Sequence, residues 1–259
     1  MPPRVDEPLI EGVPAIPTCA RARTCILALM IVKRGATAFL LLLLCSLSSA
    51  QTSPSHVDWR TKGAVTPVKN EGHCGSSYAL ATVAAVEGAH KIMTGQLVEL
   101  SAQEVIDCSR ANGNHGCNGG WVDATLSFIQ VHGLSSESQY PYTAKDGACR
   151  TATPVAHITG WHKVAVTDAA LMAAVAKQPV VAVIDASGAF QQYRRGILRT
   201  TGSQANHCVT IVGYGTEGST PYWLAKNSWG ATWGENGYVR LARDVPYRLV
   251  LEAFAPNLN

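Results

Sequence analysis

Three polar side chains, set far apart along the chain, constrain what it can fold into more than any other feature. Ser77 lies in Asn70-Glu71-Gly72-His73-Cys74-Gly75-Ser76-Ser77-Tyr78. His207 follows 130 residues later in Asn206-His207, and Asn227 follows 150 residues later in Asn227-Ser228-Trp229-Gly230. In that order a hydroxyl, an imidazole and a carboxamide can act as nucleophile, general base and the group that holds the base. Serine needs such a base, because an alkoxide is too basic to persist beside imidazole near neutral pH. A fold that uses all three must bring the two halves of the chain together.

The two halves carry different patterns. Ser77 begins a helical run with apolar positions Leu80, Val83, Ala84 and Val86, and Gly95 suits its C-terminal stop. Ser101-Ala102-Gln103-Glu104 is a capping box opening a short second helix, and Trp121 to Val131 makes a third, closed by Gly133. The later half is rich in β-branched and aromatic residues at Val180–Ile184, Cys208–Gly213, Tyr222–Ala225 and Gly237–Leu241. One helix, about Asp168 to Lys177, interrupts it before Pro179. Helices first and strands second imply an α+β protein with two lobes.

The first 50 residues read differently. Lys33-Arg34, the apolar run Ala36 to Leu47 and Ser48-Ser49-Ala50 have the order of a secretory signal, with Met30 as its start and residues 1–29 as an upstream extension. The apolar run is too short for a stable membrane span. Only Gln51 to His56 separate the expected cleavage point from Val57, so no proregion is visible. The rest of the chain, 51–259, reads as one domain. Five of the 21 basic and three of the 18 acidic residues fall in the leader, which leaves the domain near neutrality and gives no sign of a nucleic-acid partner. Five of the eight cysteines remain there: Cys74, Cys108, Cys117, Cys149 and Cys208. An oxidising compartment permits disulfides among them, and any four can pair in three ways. They form no close C-x₂-C pair, so no metal site is expected, and no cofactor motif is present.

The motifs together resemble the papain family of cysteine proteases, over about Val57 to Asp244. Asp58-Trp59-Arg60, the Cys74-Gly75-Ser76-Ser77-Tyr78 segment, Gly116-Cys117-Asn118-Gly119-Gly120, Asn206-His207, Val212-Gly213-Tyr214-Gly215 and Asn227-Ser228-Trp229-Gly230 stand in the family's order. The resemblance implies a helical N-terminal lobe, a β-rich C-terminal lobe and a site in the cleft between them. It implies bridges Cys74–Cys117 and Cys108–Cys149, with Cys208 left single. It makes Ser77, His207 and Asn227 the catalytic residues, with Ser77 standing where the family has cysteine. Trp229 would shield the His207–Asn227 bond from water. The oxyanion position would combine the Ser77 N–H with residue 71, where the family's glutamine is Glu71. Gly119, Gly120, Trp121, Val122, Val183 and Ala205 would shape the substrate cleft, although Tyr78 and Trp121 also suit plain packing roles. The tail 245–259 does not resemble the family.

Within the family, Ser77 followed by Tyr78 resembles the silicateins, cathepsin L-like proteins of sponge silica spicules. That likeness implies hydrolysis and condensation of silicon esters or silicic acid by a Ser-His-Asn site, a possible homo-oligomeric filament and a secreted, spicule-associated protein. Two alternatives stand beside it: a non-catalytic papain-fold protein that binds peptides or forms filaments, and a papain-family peptidase.

Overall fold

A computed structural model describes residues 53–246 and 248–257. The leader expected over residues 1–50 lies outside the described residues.

In chain order the elements are β1 (Val57–Asp58), α1 (Ser77–Thr94), α2 (Ala102–Cys108), α3 (Val122–His132), β2 (Gly160–Val164), α4 (Asp168–Val175) and β3 (Val180–Ile184). There follow β4 (Ile197–Leu198), β5 (His207–Glu217), β6 (Thr220–Lys226), β7 (Tyr238–Ala242) and β8 (Glu252–Asn257). The helices of the first half stop where their sequences say. Gly95 takes φ 78° and its N–H donates to the Lys91 carbonyl, closing α1 through a conformation that glycine adopts without strain. Ser101 Oγ accepts from the Glu104 N–H at 2.9 Å and caps α2. The reciprocal half of the expected capping box does not form. Glu104 Oε2 instead accepts from the N–H and hydroxyl of Ser135, at 2.8 and 2.7 Å, while the Ser101 N–H donates to the Ser135 carbonyl. The box has been spent on tying α2 to the segment after α3.

The sheet runs β2-β8-β3-β5-β6-β7-β4, with β1 added to β5, and it is antiparallel except for β4 on β7. The tail expected to be atypical supplies β8, which lies between β2 and β3. Pattern reading missed it because Pro256 and the short Phe254-Ala255 core do not alternate. It missed β2 as well, whose Trp161 is half-buried and whose His162 and Lys163 are exposed.

Two buried clusters make the two lobes. One gathers α1, α2 and α3 around Val86, Ile106, Leu126 and Ile129; the other gathers the sheet and α4 around Val180, Ile184, Val209, Ile211 and Leu241. The sheet belongs to both. Val181, Cys208 and Phe254 face the helical cluster, while Val180, Ala182, Val209, Ala253 and Ala255 face the other. Alternate residues thus enter opposite cores, which is why β3 reads as an unbroken apolar run. Helix α1 packs on β5, so the helix that starts at Ser77 lies against the strand that starts at His207. Among the described residues no helix is long and apolar enough to cross a membrane.

Candidate active site

The loop ahead of α1 is fixed before the helix begins. Cys74 and Cys117 form a disulfide, and the Gly75 N–H donates to the Cys117 carbonyl at 2.9 Å. A Cβ on Gly75 would lie 2.9 Å from that same carbonyl, so glycine permits the approach. Cys108 and Cys149 form the second expected bridge, and Cys208 is a buried free thiol, pushed up to about 12 by burial. Ser77 is the first residue of α1, where the helix dipole favours developing negative charge. The preceding Ser76 does not cap the helix; its hydroxyl bonds Tyr142 at 2.7 Å.

Across the cleft, β5 and β6 deliver the other two residues. Ile184 of β3 pairs with His207, and Thr210 of β5 pairs with Lys226, so Asn227 emerges beside His207. His207 Nε2 donates to Asn227 Oδ1 at 2.7 Å. The proton is therefore on Nε2, leaving the lone pair on Nδ1. Burial pushes His207 down to about 4, with the Asn227 bond opposing, so the ring is a neutral base over the physiological range. Trp229 lies with its ring centroid 4.9 Å from that of His207, and Phe190 packs edge-on against Trp229 at 5.3 Å. Trp233, at 5.0 Å from Phe190, completes this aromatic wall beside His207. The two sides meet at Ser77, whose Oγ accepts from the backbone N–H of Cys208 at 3.2 Å.

Glu71 completes the corner. Its Oε1 accepts from Trp229 Nε1 at 2.6 Å, while Oε2 is buried without a hydrogen-bond partner. Burial pushes its carboxyl up to about 7, against the lowering influence of the Trp229 indole and the N–H groups of Ser76 and Ser77. Glu71, Ser77 and His207 line one cleft of about 560 Å³ together with Gly119, Gly120, Trp121, Val122, Val183 and Ala205, all six residues read from the sequence as its walls. Tyr78 is a packing residue, buried, with its hydroxyl on the Gly116 carbonyl at 3.0 Å. Trp121 is not: it stands 64% exposed at the rim, which removes the packing reading.

Sequence reasoning missed several residues that hold this site. Asp185 accepts from Gln204 N–H at 2.7 Å, Asn206 Nδ2 at 3.1 Å and the Ser187 N–H at 2.9 Å, fixing the loop that enters His207. Those bonds, with the Ser187 hydroxyl foremost, hold its carboxyl down at about 2. Tyr142 donates to the Glu71 carbonyl at 3.0 Å. Glu252 and Phe254 reach the cleft from β8. None of these carries a local motif, so no signal in the chain could have found them.

The sequence pattern described as "Papain family cysteine protease" matches residues 53–254. The chain belongs to the papain family of cysteine proteases. It is 48% identical over 200 residues to zingipain-2 of Zingiber officinale, covering 74% of this chain and 89% of that protein. It is 46% identical over 198 residues to ananain of Ananas comosus, covering 74% of this chain and 56% of that protein. The thiol protease SEN102 of Hemerocallis is 48% identical over 196 residues, and the match spans 54% of it. Apart from zingipain-2, the chain thus spans about half the length of these curated relatives. Among solved structures, bromelain from Ananas comosus in complex with the E64 inhibitor superposes with TM-score 0.76 at 41% identity, covering 80% of this chain and all of that one. A Carica candamarcensis cysteine protease in complex with E-64 gives 0.75 at 40%, covering 80% and 99%.

Proposed function

We propose that this chain is a papain-fold hydrolase of peptide or activated ester bonds that uses Ser77 in place of a thiolate. The observation carrying this reading is the contact of Ser77 Oγ with the Cys208 N–H, which sets the first hydroxyl of α1 beside the neutral His207–Asn227 pair. In the reaction Ser77 Oγ bonds to the substrate carbonyl carbon and passes its proton to His207 Nδ1, while Asn227 Oδ1 holds the imidazolium through Nε2. The tetrahedral intermediate then expels the leaving group, which takes the proton back from His207. Water, deprotonated by the same imidazole, releases the acyl group from Ser77. The oxidising compartment implied by two disulfides agrees with secretion.

The relatives are plant cysteine proteases and lend no support to silicon chemistry, so peptide takes precedence over silicon esters as the substrate class. Turnover of a fluorogenic peptide amide and of an activated ester, compared between the natural sequence and Ser77→Ala, tests the reading. Ser77→Ala should fall to the uncatalysed rate while still binding peptide. Equal turnover in both proteins would overturn the proposal and leave a peptide-binding protein. Ser77-dependent silica precipitation from a silicon alkoxide, without peptide turnover, would restore the silicon reading.

A further inference from the structure

The exposed indole of Trp121 stands on a fixed backbone. Its N–H donates to Asn114 Oδ1 at 2.8 Å, and its carbonyl accepts from the N–H and hydroxyl of Thr125 at 3.0 and 2.9 Å. Trp121 and Asp123 line the cleft of Ser77 and also a second groove of about 530 Å³, so the two are continuous. Asn112, Ala124, Ser127 and a second indole, Trp161 of β2, complete that outer groove. Trp161 is fixed as well. Its Nε1 donates to Ser127 Oγ of α3 at 3.2 Å, and its ring packs at 6.1 Å from that of Phe254, which itself lines the cleft.

Asp123 is the one charged side chain in the outer groove. Its Oδ1 accepts from the Ala124 N–H at 2.9 Å, which anchors the carboxyl at the start of α3, where it offsets the positive end of that helix. Lysine and arginine line neither the groove nor the cleft. The basic residues close by in the chain are already paired: Arg110 with Asp146 at 2.7 Å, and Lys163 with Glu252 at 2.6 Å. Two indoles and an anchored carboxylate with no cation beside it suit a positive charge, which is drawn to an aromatic face and to the acid alike. An apolar group would strip water from the carboxylate without compensation, and an anion would be repelled.

We propose that the groove between Trp121 and Trp161 recognises a cationic side chain, arginine or lysine, of a peptide lying in the cleft, with Asp123 as its counter-ion. The proposal deepens the hydrolase reading above and rests on it only for the presence of a peptide in the cleft. Arginine suits the groove better than lysine, because its planar, weakly hydrated guanidinium stacks on an indole while donating to a carboxylate.

The test uses binding, so that it does not depend on turnover. Fluorescein-labelled peptides that carry one arginine, moved along an otherwise neutral sequence, are titrated by fluorescence anisotropy against the full chain with Ser77→Ala. Matched peptides carry glutamine or norleucine at the same place. At one position arginine should bind about tenfold tighter than either, the sum of a modest cation–π contact and a partly exposed ion pair. Asp123→Asn should lower that ratio to about threefold, and Trp121→Ala should lower it similarly. Raising salt should shrink the ratio in the parent and much less in Asp123→Asn. Equal binding of arginine, glutamine and norleucine at every position, or no binding of any of them, would overturn the proposal. So would an arginine preference that Asp123→Asn leaves unchanged. Failure of Ser77 as nucleophile shows separately, as equal turnover of the natural sequence and Ser77→Ala, and leaves these ratios untouched.

Discussion

Two buried glutamates sit near the junction of the lobes and have opposite surroundings. Glu87 of α1 is fully satisfied: Oε1 accepts from the Leu100 N–H at 2.8 Å and Oε2 from Thr66 Oγ1 at 2.5 Å. Thr66 Oγ1 in turn accepts from Lys226 Nζ at 2.8 Å, so the threonine relays one buried charge to the other. Burial pushes Glu87 up and Lys226 down to about 8, and their mutual attraction opposes both shifts. Glu71 has one oxygen bonded and one bare, and no cation beside it. The satisfied carboxylate joins α1 to the end of β6 and so fixes where Asn227 emerges. The unsatisfied one belongs to a residue that lines the cleft with Ser77 and His207. A closed network marks structure, and an open one marks function.

The comparison breaks most readily at Glu87. Glu87→Ala leaves Lys226 buried with only Thr66, and should cost roughly 3–5 kcal/mol of stability. Urea unfolding midpoints check this, and Glu87→Leu with Lys226→Met should recover much of the loss because no unpaired charge remains. An effect under about 1 kcal/mol would mean that the network is not structural.

Glu71 should behave in the opposite sense. Its folded pKa of about 7 lies above the unfolded value near 4.5, so the folded state holds the extra proton between those pH values. Stability from this group is complete below the unfolded pKa and is lost as pH rises through 7, by about 3 kcal/mol in all. Glu71→Gln should therefore stabilise the protein at pH 8 by up to about that amount, and change little at pH 4.5. Equal denaturant midpoints for the two proteins at pH 8 would contradict the assigned burial.

The smallest expected effect is a null. Cys208 adjoins His207, but its thiol is buried, with its pKa pushed up to about 12, and so is unreactive at neutral pH. Iodoacetamide or a thiol-directed epoxide should leave any activity of the native protein unchanged, and mass spectrometry should find Cys208 alkylated only after denaturation. Labelling of Cys208 in the native state would place a reactive thiol beside the Ser77 site and blur the contrast with a cysteine enzyme.

The sequence by itself determined the family, the boundaries of α1 and α3, the central strands and the order of Ser77, His207 and Asn227. These are local signals or motifs at fixed separation: a glycine that ends a helix, an apolar run that becomes a doubly buried strand; the two disulfides were legible only through the resemblance. The cleft walls were legible too, but only through the resemblance, since nothing in the pattern around Val183 or Ala205 marks them. Strand β8 was not legible, because what makes Glu252–Asn257 a strand is its two neighbours, β2 and β3, rather than its own alternation. Asp185 and Tyr142 acquire their roles through bonds to distant backbone groups that no spacing rule encodes. Most of all, the sequence could name Glu71 as a departure but not say which protonation state it takes. That is decided by water exclusion and by an indole donor 158 positions away, both products of the closed lobes.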